Sequence, residues 1–212
     1  MKYLETLKQI LDSYADKVRK NVDFMDRARR TYQPEIADKK VAAAIANIHN
    51  DSSAAYRDID SAAGKEIEAV KAWGILKGSE IEGKDLELLT DMFDLTGEDL
   101  LELVNRYRNN ATMLRAIDTY YKRRQAGLTR DEILTEQVYL PQIPTVDNKI
   151  LAVNHFAEAA KALVRQIEAA PDSLTKFTDR EAYKDASSMD MLIHGFGAPG
   201  ISNQKDLFVL GY

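Results

Sequence analysis

The chain contains no cysteine, which excludes a disulfide framework, a thiolate nucleophile and any cysteine-ligated zinc site. It has only three histidines, His49, His155 and His194. None stands at the spacing of H-E-x-x-H or of the Glu-x-x-His pairs of di-iron bundles. A G-x-S-x-G elbow is also missing, so nucleophilic hydrolysis has no visible apparatus. These absences predict no catalytic residue, no metal ligand and no cofactor. The longest apolar run, Val41 to Ala46, is far short of the roughly 20 residues that span a bilayer. The opening Met1-Lys2-Tyr3-Leu4-Glu5 lacks the apolar core of a signal peptide. The expected location is therefore the cytoplasm in which the chain is made, with no membrane partner.

An excess of positive charge is lacking too. Residues 1–73 carry 13 basic and 12 acidic groups, 74–145 carry 9 and 13, and 146–212 carry 7 and 9, for a net charge of −5. That balance argues against general attraction to phosphate backbones. With five prolines and ten glycines among 212 residues, 45% hydrophobic and 30% charged, the composition suits folded helices.

What is present is helical periodicity. Leu4, Leu7, Leu11, Tyr14, Val18, Met25, Ala28 and Tyr32 recur at spacings of three and four, one stripe along a helix from Lys2 to about Tyr32. Asn21 is the single polar residue in its heptad seam, where a lone amide can fix register. The same pattern suits a hairpin within the chain and a coiled coil between chains equally. Pro34 predicts a break, after which Glu35 to about Trp73 forms a second helix with a thinner stripe of Val41, Ile45, Ile48, Ala55, Ile59, Ala62, Val70 and Trp73.

Gly74, Gly78 and Gly83 mark a hinge, and Asp85 to Phe93 reads as a short helix. Thr96-Gly97-Glu98-Asp99 resembles a capping box opening one helix to about Gln125, with Leu100, Leu103, Val104, Tyr107, Leu114, Ile117 and Tyr121 facing inward. Thr129 caps a helix that ends before Pro141. Thr145 caps another from Val146 to about Ala169, with Ile150, Val153, Ala157, Ala160, Leu163, Val164 and Ile167 inside. A last short helix is expected near Asp179 to Leu192. From residue 193 glycine and proline dominate, and Leu207-Phe208-Val209-Leu210 is β-prone. The expected fold is all-α: a long helical hairpin or coiled coil over 1–73, a compact helical middle over 74–192 and an extended tail over 193–212. That tail ends in apolar residues through Tyr212, as a docking segment would.

Gly78 to Asp85 matches the phosphate-loop spacing G-x-x-x-x-G-K, but Asp85 stands where Ser or Thr should hold magnesium, and Glu80 and Glu82 would repel phosphates. Acids at Asp94, Glu98, Asp99 and Glu102 suit a helix start. The basic cluster Lys122, Arg123, Arg124 and Arg130 suits the helix C-terminal dipole. Arg27, Arg29 and Arg30 form a second cluster that could contact phosphate, although the net charge is negative and no aromatic platform interleaves with those arginines.

Leu95 to Val104, continued by Arg106 to Arg115, resembles stretches in small helical proteins encoded among tailed-phage head genes. The resemblance implies a virion-associated assembly protein, with a helical arm, a compact middle and an end lying on a neighbouring subunit. It carries over no site residues. The expected function is thus a non-enzymatic structural protein of a phage particle. Its partners would be itself or other virion subunits, met through Leu4, Leu7, Leu11, Tyr14, Val18, Met25, Tyr32 and the tail residues Leu207, Phe208, Val209, Leu210 and Tyr212. The alternative is a nucleic-acid-associated or regulatory helical protein using Arg27, Arg29 and Arg30.

Overall fold

The computed structural model describes residues 2–90, 92–133, 143–171 and 209–210. Among these there are helices and no strand, so the all-α expectation is met. Two long helices, α1 (Lys2–Thr31) and α2 (Pro34–Trp73), come first. A 3₁₀ turn (Gly78–Glu80) precedes α3 (Gly83–Leu88), α4 (Gly97–Arg106), α5 (Ala111–Gln125) and α6 (Val146–Ala169).

The chain forms two compact units, one of residues 1–65 with 154–201 and one of 66–153 with 202–212. In the first, α1 and α2 pack against each other. Pro34 opens α2 at the first helical position, where its missing N–H removes no bond. The Gln33 carbonyl accepts from Ile36 and Ala37 N–H at 3.0 and 2.9 Å, which turns the chain back. Lys17 pairs with Asp51 at 3.3 Å midway along the two helices. The α6 segment runs antiparallel to α2, since His49 bonds Glu168 and Asp60 bonds Lys161.

Burial shows which side of each helix the sequence dedicates to the core. Leu4, Leu7, Tyr14, Val18, Met25 and Ala28 are buried, and Val22 is buried where the heptad reading placed Asn21. The Asn21 amide instead donates to the Lys17 carbonyl four residues back, so it satisfies itself on its own helix. On α2 the buried positions are Ala37, Ala44, Ile48, Ser52, Ala55, Ile59, Ala63 and Val70, spaced by three, four or seven. Ile45, expected inside, is 44% exposed; its neighbour Ala44 takes the seam because small side chains let two long helices approach closely.

The second unit is built around Leu100, Leu103, Val104, Met113, Leu114 and Ile117. Here the sequence reading needs correction. The expected helix from Gly97 to Gln125 is two, broken at Tyr107–Asn110. Asn110 is the reason: its Oδ1 accepts from Met113 N at 3.0 Å and caps a new helix. Tyr120 is buried in the core, its hydroxyl donating to the Phe93 carbonyl and accepting from Leu95 N–H, while Tyr121, expected inside, packs partly buried against it. The short helix near Asp85 begins at Gly83 and stops at Leu88.

Two expectations hold closely. Thr96 forms the capping box with Asp99, and Thr145 Oγ1 accepts from Asn148 N–H to start α6 at Val146. The helix after Thr129 is described only to residue 133, and the one expected over 179–192 lies outside the described residues. So does the tail, except for Val209 and Leu210, which are helical, with Val209 fully buried.

Candidate functional site

The sequence-predicted partner stripe is largely covered by the chain itself. Leu4, Leu7, Tyr14, Val18 and Met25 are buried and Leu11 is half-buried, whereas Tyr32 is 44% exposed. Leu207, Phe208 and Tyr212 lie outside the described residues. Tyr14 deserves separate notice because its hydroxyl is buried with no hydrogen-bond partner among the described residues. Burial pushes its phenol well above the ordinary tyrosine range, and the nearby Glu168, Tyr56 and Asp51 push it further.

The exposed chemistry of the first unit sits at the hairpin tip. Lys20, Phe24 and Arg27 follow one another at four and three residues on α1, and Ile36 and Lys40 at four on α2, so each set shares a helix side. Lys40 joins the two sets: its Nζ lies 4.7 Å from the Tyr32 ring centroid and 5.8 Å from that of Phe24, within reach of a cation–π attraction. Phe24 is 42% and Ile36 48% exposed. Arg27 donates through Nε to the Asp23 carbonyl, and no carboxylate pairs with Lys20, Arg27 or Lys40 among the described residues. Most other cations of α1 are paired, Lys8 with Asp12, Lys17 with Asp51, Arg19 with Asp16 and Arg29 with Asp26.

Of the three sequence-predicted phosphate contacts, Arg27 therefore belongs to this side, Arg29 is paired with Asp26, and Arg30 is exposed beside Arg27 at a spacing of three. The aromatic platform that sequence order did not reveal is Phe24 with Tyr32. The rings are eight residues apart in the chain, and only the fold back at Gln33, which brings Lys40 over both, assembles them.

Three members of the other basic cluster are held in place by the fold. Lys122 pairs with Asp118, Arg124 with Asp94, and Arg123 donates to the Leu89 carbonyl. The acid cluster is equally structural: Glu102 holds Arg106, and Asp99 caps α4 through the Thr96 hydroxyl and backbone, which hold its carboxyl below the usual range. In the phosphate-loop look-alike, Glu82 and Asp85 both accept from the Tyr107 hydroxyl, at 3.2 and 2.6 Å. Two carboxylates gathered on one hydroxyl there would repel a phosphate rather than cradle it.

The second unit has a cleft of about 350 Å³ lined by Trp73, Arg115, Asp118, Lys122, Thr145 and Asp147 among others. Its two cations are matched by two carboxylates, so it favours neither sign of ligand. Beside it Lys149 lies 4.4 Å from the Trp73 ring centroid; burial first and then Arg108 lower the affinity of its amine for a proton. Among the described residues no group of three or more His, Asp or Glu could hold a metal ion. Their helices also include none long and apolar enough to cross a membrane. Comparison with known protein families, with curated proteins and with solved structures finds no match to this chain.

Proposed function

We propose that the chain is a non-enzymatic assembly protein, a structural component associated with the head of a tailed-phage particle, acting through helix packing and its C-terminal segment. The observation that supports contact with other proteins is the group of large apolar side chains left at the surface of the second unit: Ile75, Leu76, Phe93 and Met92, the last 86% exposed. Solvent-facing apolar residues gathered within about 20 positions are what a protein interface uses. The phage assignment rests on the resemblance of Leu95 to Arg115 alone.

The test is the solution mass of the full chain by light scattering over a range of concentrations, alongside the same chain lacking 195–212. A multimer that the truncation disperses, with helical content kept, supports the reading. A strict monomer, or a truncated chain that assembles as well as the parent, overturns it.

A further inference from the structure

We propose that the hairpin tip binds single-stranded nucleic acid along the side formed by Lys20, Phe24, Arg27, Tyr32, Ile36 and Lys40. The inference is independent of the assembly reading, which needs no nucleic acid. It rests on three cations that no carboxylate pairs among the described residues, interleaved with two exposed aromatic rings on one side of a helix pair, and on the placement of the acids.

Residues two apart on a helix point about 200° from one another. Asp26, two beyond Phe24, and Asp38, two beyond Ile36, therefore face the opposite side. Asp23, three residues after Lys20 and four before Arg27, shares their side, so three cations there face one acid and the balance stays positive, while Glu35 stands at the margin of the Ile36–Lys40 side. The side from Lys20 to Tyr32, about 18 Å long at 1.5 Å per residue, thus presents positive charge in a chain whose net charge is −5. That local inversion of sign is a charge complement to a linear polyanion.

The rings select among polyanions. Phe24 and Tyr32 each retain over two-fifths of their surface exposed, and Lys40 fixes both within one cation–π arrangement. Nucleic acid alone carries a planar π surface with every anionic repeat. Phosphate meets Lys20, Arg27 and Lys40 while bases stack on the rings, a combination used by sequence-tolerant single-strand binders. A duplex keeps its bases stacked inside and offers the rings nothing. An anionic membrane met end-on by the tip would also meet Asp26, Glu35 and Asp38, and three large apolar side chains give it little to insert. An acidic peptide would satisfy the cations and leave the rings idle.

The experiment uses the full-length chain and a fluorescent single-stranded oligonucleotide of mixed sequence, followed by anisotropy across salt concentration. Three phosphate contacts predict a slope of log affinity against log salt of about −2. Replacing Lys20, Arg27 and Lys40 together by Gln is expected to weaken binding at least tenfold and to flatten that slope. Phe24→Ala with Tyr32→Ala is expected to weaken it about tenfold or more with the slope kept, because stacking carries no counterion release. Arg29→Gln, which removes a cation already paired with Asp26, is expected to leave affinity within about twofold. Circular dichroism confirms that each variant keeps its helices. Absence of binding at low salt overturns the proposal. So does equal affinity for duplex, equal loss in Arg29→Gln, or binding to anionic vesicles or to polyglutamate in preference to the oligonucleotide.

Discussion

The Tyr107 hydroxyl donates to the Asp85 carboxylate at 2.6 Å and so ties α3 to the C-terminal end of α4. Arg106 reaches the same carboxylate at 2.9 Å. The Tyr107 bond is the largest cause holding the Asp85 carboxyl below the ordinary carboxylate range; burial opposes it, and Arg106 adds to the lowering. A carboxyl lowered by folding stabilises the native state above its unfolded value, near 3.9. That contribution is lost as pH falls through the lower, folded value. Tyr107→Phe is expected to cost about 1–2 kcal/mol at neutral pH and to make the fall in stability below about pH 4 shallower than in the parent. Urea unfolding at a series of pH values checks both. An unchanged midpoint at neutral pH would show that water replaces the tyrosine without loss.

Asn110 decides whether residues 97–125 form one helix or two. Replacing it by Ala removes the oxygen that accepts from Met113 N–H and is expected to cost about 1 kcal/mol, whereas Asp, which keeps an acceptor, should cost much less. Equal stability of the two variants in denaturant titration would mean that the break is set by packing alone.

That break marks where sequence and structure part. The long elements were legible because periodicity and caps coincide: α1 was expected to end at Tyr32 and ends at Thr31, and α6 runs from Val146 to Ala169 as expected. Asn109 and Asn110 stand between good helix formers, and the periodicity runs through them; the preference of asparagine for helix starts is the one local sign of the break. Ala44 outranks Ile45 for a related reason. Apolarity favours isoleucine, yet Ala44 is the buried residue, and a small side chain lets packed helices approach closely. The tip was half legible: Arg27 stood out by charge, whereas Phe24 and Tyr32 become one platform only through a lysine on the next helix.

Gly74 follows the last turn of α2, its N–H bonded to the Val70 carbonyl at 2.9 Å. A Cβ added there would stand inside the envelope of the Val146 Cγ2 methyl. Gly74→Ala is expected to destabilise by about 1–3 kcal/mol through overpacking. Val146→Ala in the same chain should restore much of that loss, giving a favourable coupling in a double-mutant cycle. Additive losses would place the effect in the backbone.

Tyr14 invites the opposite expectation. Its hydroxyl is buried without a hydrogen-bond partner among the described residues, and the carboxylates of Glu168 and Asp51 lie near enough to act on it. A polar group desolvated without compensation opposes folding. Tyr14→Phe is therefore expected to leave thermal stability unchanged or to raise it by up to about 1 kcal/mol. A drop of that size would reveal that the hydroxyl bonds something that matters.

Adjacent residues on α2 give the sharpest contrast. Ala44 is buried in the seam, while Ile45 is 44% exposed. Ala44→Leu forces three extra carbons between packed helices and is expected to cost about 1–3 kcal/mol or more. Ile45→Ser exchanges residues of similar helix propensity at the surface and should stay within about 0.5 kcal/mol. A reversal of that order would move the seam by one residue, about 100° around the helix. It would then put Ile45, not Ala44, against a neighbour. If that neighbour were a second copy of the chain, the loss from Ile45→Ser would shrink on dilution, because stability drawn from association falls with protomer concentration. The comparison therefore reads the packing of the arm and the partner of its apolar side from the same pair of variants.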